Sequence, residues 1–113
     1  MSPSILEAGS LKGRAAIFAA LGDETRLSML SRLAAGRAQS IARLTEGTSL
    51  TRQAVTKHLK VLEEAGVLTR RKIGRESLYA LEPKSLGDLR DYLDLVSRQW
   101  DAALARLKAF VED

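Results

Sequence analysis

The chain has 113 residues, of which 45% are hydrophobic and 4% aromatic, so it suits one domain with a core of Leu, Ala, Val and Ile. It contains no cysteine, which excludes disulfides, thiolate metal sites and thiol-based redox sensing. Residues 49–81 carry seven basic and three acidic side chains, whereas the whole chain carries 18 and 14. This concentration of positive charge predicts a polyanionic partner for the middle of the chain.

The N-terminus indicates a loose segment rather than a targeting or membrane segment. Residues 1–11 contain Pro3, Gly9 and three serines, which predicts a flexible arm. No apolar run approaches the roughly 20 residues that span a bilayer, and the basic-then-apolar pattern of a secretory signal is missing. We therefore expect a cytoplasmic protein without a membrane partner, with a folded domain over residues 12–113.

Two helices are predicted after the arm. The first extends from Lys12 to Leu21 and ends at Gly22, with a buried face formed by Ala15, Ile17, Phe18 and Leu21. Asp23 is a suitable N-cap for the second, which ends at Gly36. Its buried stripe is predicted to consist of Leu27, Met29, Leu30 and Leu33.

A pair of helices joined by a tight turn is predicted over residues 40–66. A short helix begins after Gln39 or Ser40 and closes at Gly47, and Thr51 then caps a helix of about four turns that ends at Gly66. Two helices in this arrangement form a helix-turn-helix.

The second of these helices has one polar and one apolar side. At 100° per residue, one continuous arc collects Arg52, Glu63, Thr56, Lys60, Gln53, Glu64 and Lys57. The long hydrogen-bond donors lie toward the N-terminal end of the helix and the acidic residues lie in its last turn. This order fits a recognition helix whose N-terminal end enters the major groove of DNA. The alternative is an ordinary solvated helix face, since such faces carry the same residue types.

A basic hairpin is predicted directly after this helix. Residues 67–73 and 76–81 alternate around Gly74, and such a loop can reach phosphates or the minor groove as a wing, with Arg75 at its tip. The fold is therefore mainly α with a small β-hairpin wing over residues 67–81, a winged helix-turn-helix. Double-stranded DNA is the predicted partner, contacted by Thr51, Arg52, Gln53, Thr56, Lys57, Lys60, Arg71 and Arg75.

His58 is the single histidine of the chain, which raises the question of a metal site. It falls on the apolar arc of its helix, beside Ala54 and Leu62, and no second histidine or cysteine exists to complete a soft site. We expect a packed, hydrogen-bonded structural residue.

The last predicted helix, over residues 85–112, has a heptad pattern in which apolar residues alternate three and four apart. These heptad residues form an apolar seam along the helix. The seam is widened by Tyr92, Leu95, Leu104 and Val111, and its apolar area exceeds what one small domain covers. We therefore expect a homodimer on a roughly palindromic site. Part of the helix is expected to pack on its own domain. The predicted dimer interface consists of Leu86, Leu89, Leu93, Val96, Trp100, Leu107 and Phe110.

Two segments, LGDETRLSMLSRL at 21–33 and SLTRQAVTKHLKVLEEAGVLTRRKIGRESLYAL at 49–81, resemble the ArsR/SmtB family of winged-helix repressors. The resemblance implies a homodimer that represses a nearby promoter until an effector, often a metal ion, weakens its binding to DNA.

The metal ligands of that family do not carry over to this chain. The thiol motif would fall on Ser40, Ile41 and Ala42, none of which is a thiolate ligand. If Asp91 matches the first ligand of the family's second site, the other ligand positions fall on Leu93, Leu104 and Leu107. The prediction is therefore no metal and no cofactor. The effector stays open between a small organic ligand, a protein partner and no effector.

Two other function classes compete with DNA binding. Winged helices also serve as protein-interaction modules, and the long apolar helix could bind a different chain. An enzyme is the weakest alternative, since there is one histidine, no thiol and no glycine-rich phosphate loop, and no catalytic residue is predicted.

Overall fold

A computed structural model of the chain describes residues 10–112; the predicted arm lies outside them except for its last two residues. Ser10 is the N-cap of helix α1 (Leu11–Leu21), where its hydroxyl accepts from the N–H of Gly13 at 3.0 Å. Leu11 is thus already helical. Helix α2 (Glu24–Ala34) follows the predicted cap, Asp23.

The buried faces of α1 and α2 agree with the predicted ones only in part. In α1 the prediction is correct for Ile17, which is buried, and for Leu21, which packs against the core. Ala15 and Phe18 are exposed, and the other buried residues are Gly13 and Ala20. The Phe18 ring lies instead beside the Tyr92 ring, at a centroid distance of 6.3 Å, so it contacts the last helix of the chain rather than the core.

In α2 the predicted stripe is correct for Met29 and Leu33, which are buried, and for Leu30, which packs against the core. Leu27 was predicted to be buried but remains 49% exposed. Periodicity places an apolar residue on one side of a helix, but the neighbouring elements decide how much of that side is covered.

The predicted helix-turn-helix is confirmed as α3 (Ile41–Thr45) and α4 (Arg52–Glu64). Ser40 and Thr51 are their N-caps, and Gly47 in the turn has φ +81°, a conformation that glycine adopts without strain. The buried side of α4, formed by Val55, Leu59 and Leu62, lies at the centre of the domain.

The wing is a hairpin of β2 (Leu68–Ile73) and β3 (Glu76–Leu81), and a third strand, β1 (Gln39–Ser40), completes the sheet in the order β1-β3-β2. Both pairings are antiparallel, with Gln39 opposite Tyr79 and Arg70 opposite Tyr79 from the other side. Gly74 has φ +63° at the first position of the two-residue turn, as a type II′ hairpin requires. Strand β1 was not predicted, because two residues carry no recognisable alternation.

One hydrophobic core joins the helices and the sheet. Its members are Ile17, Ala20, Met29, Leu33, Leu44, Val55, Leu59, Leu62, Val67, Leu68, Tyr79 and Leu89. Every helix and both long strands or their flanking residues contribute to it, so the core fixes α4 and the hairpin relative to each other.

Helix α5 (Pro83–Glu112) begins two residues before its predicted start, because proline suits the first position of a helix. Its 30 residues extend about 45 Å and project beyond the domain. The radius of gyration is accordingly 17.4 Å, whereas a compact chain of this length has about 13 Å. Within residues 10–112 no helix is long and apolar enough to cross a membrane.

Candidate nucleic-acid interface

The N-terminal end of α4 is capped by Thr51. The Thr51 hydroxyl accepts from the N–H of Ala54 at 3.1 Å, and the Thr51 carbonyl accepts from the N–H of Val55, also at 3.1 Å. Thr51, predicted to contact DNA, therefore uses its side chain as an N-cap. This arrangement fixes the direction in which the next side chains leave the helix.

The other predicted side chains of α4 share one exposed face. Arg52, Gln53, Thr56 and Lys57 line a shallow, open depression, and all of them are exposed, as is Lys60. The Thr56 hydroxyl donates to the carbonyl of Arg52 at 2.8 Å, so its oxygen remains able to accept a hydrogen bond. The face thus presents three cations, Arg52, Lys57 and Lys60, and the amide of Gln53. Such groups bond guanine and adenine in the major groove.

The acidic side chains at the C-terminal end of α4 form ion pairs with basic side chains. Glu63 Oε2 lies 3.4 Å from Arg70 Nε on the wing, and Glu64 Oε1 lies 3.9 Å from Lys60 Nζ. The first pair links α4 to strand β2. Both pairs place the negative charge away from the exposed N-terminal turn of α4, which leaves that turn electropositive.

The strand register separates the basic residues of the wing. Arg70 lies opposite the buried Tyr79, and Arg71 lies opposite Leu78, so the two arginines project to opposite faces of the hairpin. Arg71 and Arg75 are exposed, and Arg75 lies in the two-residue turn between β2 and β3. The tip is therefore a narrow basic loop that projects from the domain.

His58 joins α4 to the start of α2 and lies at the edge of the core. Its side chain is 23% exposed, and Nδ1 lies 3.3 Å from Arg26 Nη1. A guanidinium can only donate, so Nδ1 accepts this hydrogen bond. The expected hydrogen-bonded structural role is thus observed, although the side chain is only partly buried.

Sequence reasoning missed Arg26. Its Nε donates to the carbonyl of Ala20 at 2.5 Å, and its backbone N–H donates to Asp23 Oδ2 at 2.9 Å. Arg26 therefore connects α1, α2 and α4. Its position in the first turn after a capping Asp gave no signal, because an arginine there is equally typical of a solvated surface.

The residues at the family's ligand positions have other surroundings. The Ser40 hydroxyl accepts from the N–H of Arg43 at 3.1 Å as the cap of α3, and Leu93, Leu104 and Leu107 are exposed apolar residues of α5. In the described part of the chain, no cluster of three or more His, Asp or Glu residues could hold a metal ion.

The predicted dimer residues divide into two groups along α5. Leu89 is 7% exposed within the chain's own core, and Leu86 packs against that core. Val96 is half-buried, whereas four seam residues are exposed, namely Leu93, Trp100, Leu107 and Phe110. Arg14 of α1 lies over the Tyr92 ring at 4.3 Å, so the contacts to α1 also occur near the start of α5.

Comparisons with known proteins place this geometry among transcriptional regulators. The family described as "Helix-turn-helix domain" matches residues 21–71. The HTH-type transcriptional regulator Rv2034 of Mycobacterium tuberculosis is 39% identical over 85 residues, which cover 75% of this chain and 76% of that protein.

Solved structures show the same architecture. An ArsR-like transcriptional regulator from Rhodococcus sp. RHA1 superposes with a TM-score of 0.74 at 36% identity, covering 90% of this chain and 95% of the other. The homodimeric winged helix-turn-helix DNA-binding domain of Mb0332 from Mycobacterium bovis gives 0.65 at 22% identity, covering 82% and 85%; at this identity the likeness concerns the fold.

Proposed function

Since the chain belongs to the ArsR family of winged helix-turn-helix transcriptional regulators, we propose that it is a homodimeric repressor of a roughly palindromic operator. In this proposal Arg52, Gln53, Thr56, Lys57 and Lys60 contact the major groove, whereas Arg71 and Arg75 contact the backbone or the minor groove. The observation that carries the proposal is the open face of α4, with its long donors at the N-terminal end and its acids paired at the other.

Self-association is supported by the shape of α5. Its distal half exposes a continuous apolar seam that includes Trp100, 66% exposed, and such patches on small proteins mark interaction surfaces. The Mb0332 domain, which has the same fold, is described as homodimeric. A twofold axis through paired α5 helices would present two α4 helices to successive major grooves, about 34 Å apart.

The proposed switch is not a thiol-bound metal. The chain has no cysteine, and the positions of the family's other metal site carry leucines on the seam. A small organic ligand or a protein partner that alters the pairing of α5 would change the spacing of the two recognition helices. Catalysis forms no part of the proposal, since the family is a class of transcriptional regulators.

The test is a comparison of duplexes. Promoter fragments upstream of the gene and its neighbours are footprinted, and the protected sequence is compared with a scrambled duplex of the same composition at several salt concentrations. We expect the protected sequence to be bound at least about 10³-fold more tightly, with affinity that falls steeply as salt rises. Equal affinity for the two duplexes would reject sequence-specific recognition.

A protein-interaction module is the second candidate, favoured by the exposed aromatic residues Trp100 and Phe110 of α5. Sedimentation equilibrium without DNA separates the two. A dimer mass that persists on dilution supports the repressor, whereas a stable monomer supports binding of a different chain through α5.

A further inference from the structure

Helix α3 is too short to be stable by its own hydrogen bonds. It has five residues (Ile41–Thr45), and isolated helices of this length do not persist in water. The last carbonyls of any helix also lack partners within the helix. Something outside α3 must therefore satisfy these carbonyls and hold the helix in place.

Two of the four terminal carbonyls are satisfied locally. The carbonyl of Ala42 accepts from the N–H of Glu46 at 3.1 Å. The carbonyl of Thr45 accepts from the N–H of Thr48 at 3.2 Å and from its hydroxyl at 2.8 Å. These bonds belong to the turn that leads toward α4.

The other two carbonyls are satisfied by one side chain from α2. Arg32 Nη2 donates to the carbonyl of Arg43 at 2.9 Å, and Arg32 Nη1 donates to the carbonyl of Leu44 at 2.7 Å. The planar fork of a guanidinium suits two adjacent acceptors, and its charge is favourable at the C-terminal end of a helix. The neighbouring Leu33 is buried in the core, so the backbone from which Arg32 extends is fixed.

Hydrogen bonds and packing contacts also connect the end of α3, through the turn, to the start of α4. The Thr48 hydroxyl, bonded to Thr45, also accepts from the N–H of Leu50 at 3.3 Å, and Leu50 packs against the core immediately before the cap of α4, Thr51. A displacement of α3 would therefore pass through this turn to the N-terminal end of α4.

We infer that Arg32 is a positioning residue for operator recognition: it clamps α3 to α2 and thereby sets the direction of Arg52 and Gln53, without contacting DNA itself. The inference rests on the proposed DNA-binding function. It distinguishes Arg32 from the exposed arginines of α4 and the wing, whose predicted role is direct contact.

The experiment uses the full chain with Arg32→Met, which keeps the length of the side chain and removes its donors, and Arg32→Lys, which keeps the charge but lacks the fork. Arg37→Met is the matched control, because it removes the same charge from an exposed position just after α2. Amide hydrogen exchange is measured on the free proteins, and affinity for the footprinted duplex is measured across a range of salt concentrations.

For Arg32→Met we expect exchange at the amides of Glu46 and Thr48 to accelerate by at least about tenfold, while amides at the centre of α4 change less. Affinity for the footprinted duplex should fall by about tenfold or more with an unchanged salt slope, since no phosphate contact is lost. Arg32→Lys should recover part of both losses. Arg37→Met should leave exchange in the turn unaltered.

Three results would overturn the inference. Unchanged exchange at Glu46 and Thr48 would mean that Arg32 does not hold α3. Unchanged affinity despite faster exchange would mean that the clamp does not act on recognition. A salt slope reduced by about one would make Arg32 a phosphate contact. Failure of the unsubstituted chain to prefer the footprinted duplex would instead reject the proposed function, and the exchange data would still test the clamp.

Discussion

Asp23 links helix capping to the pH dependence of stability. The backbone N–H of Arg26, which donates to Asp23 Oδ2, holds the pKa of Asp23 below its ordinary value of 3.8. Loss of hydration acts in the opposite direction, and the positive charge of Arg26 lowers the pKa further. Because the pKa is lower in the folded chain, the carboxylate stabilises the fold above its unfolded pKa, and this contribution is lost as pH falls through the folded pKa.

Asp23→Asn tests this coupling, since asparagine still caps a helix but does not titrate. We expect the substituted chain to unfold at lower urea concentration than the unsubstituted chain at pH 7. The difference should shrink as the pH is lowered below about 4, because the unsubstituted chain then loses the same charge. A difference that stays constant between pH 7 and pH 3 would contradict the assigned role of the carboxylate.

Replacement of Gln53 by alanine and replacement of Arg75 by alanine are expected to impair DNA binding in different ways. Loss of Gln53 should reduce discrimination at one base pair by about 1–3 kcal/mol. Loss of Arg75 should weaken binding to all sequences and reduce the salt slope by about one. Titrations of the operator and its single-base variants at several salt concentrations separate these outcomes, and the reverse pattern would exchange the two roles.

At the scale of secondary-structure elements, the sequence predicted the helix starts and the hairpin turn, because these depend on residues close together in the chain. Caps such as Asp23 and Thr51 fixed the starts of α2 and α4, and Gly74 fixed the hairpin turn. Strand β1 could not be predicted, because Gln39 and Ser40 are extended only through their pairing with β3. The contacts of Arg26 and Arg32 likewise depend on which helices pack together, and the residues near those arginines in the sequence do not indicate this packing.

Glycine-to-alanine substitutions are expected to change the free energy of unfolding in opposite directions at Gly74, in the hairpin turn, and at Gly87, in α5. Gly74 has φ +63°, so alanine there is strained although its methyl group meets open space, and we expect a loss of about 1 kcal/mol in the free energy of unfolding. Gly87 lies within α5 and also faces open space. Gly87→Ala should therefore stabilise the chain by about 0.5–1 kcal/mol. Urea unfolding measures both, and effects of equal sign would refute this reading of the turn.

At the scale of the whole molecule, α5 serves two different surfaces. Its first turns complete the core through Leu89, and its distal half has an apolar seam that the described part of the same chain leaves largely uncovered, with Phe110 80% exposed. The heptad spacing predicted both the helix and the seam. It did not show where the intramolecular contacts end, because core and seam residues follow the same repeat.

Trp100 provides a direct measurement of assembly. It is the single tryptophan of the chain and is 66% exposed in the single chain, so its emission should shift to shorter wavelength over the concentration range in which two chains pair through α5. Introducing a charge into the seam should produce a monomer.

Trp100→Glu is the variant for sedimentation equilibrium, and Ala105→Glu is its control, because Ala105 is exposed and the same charge there lies on the side of the helix opposite the seam. We expect a monomer with weakened operator binding for the first and an intact dimer for the second. A Trp100→Glu chain that sediments as a dimer would exclude the seam as the interface.

The length of α5 also bears on how the protein would respond to its own abundance. If operator binding requires two chains joined through the distal seam, occupancy rises with the square of the monomer concentration wherever monomers predominate. A modest change in synthesis would then produce a disproportionate change in transcription. The exposed half of one helix would in this way set a threshold for the regulated genes.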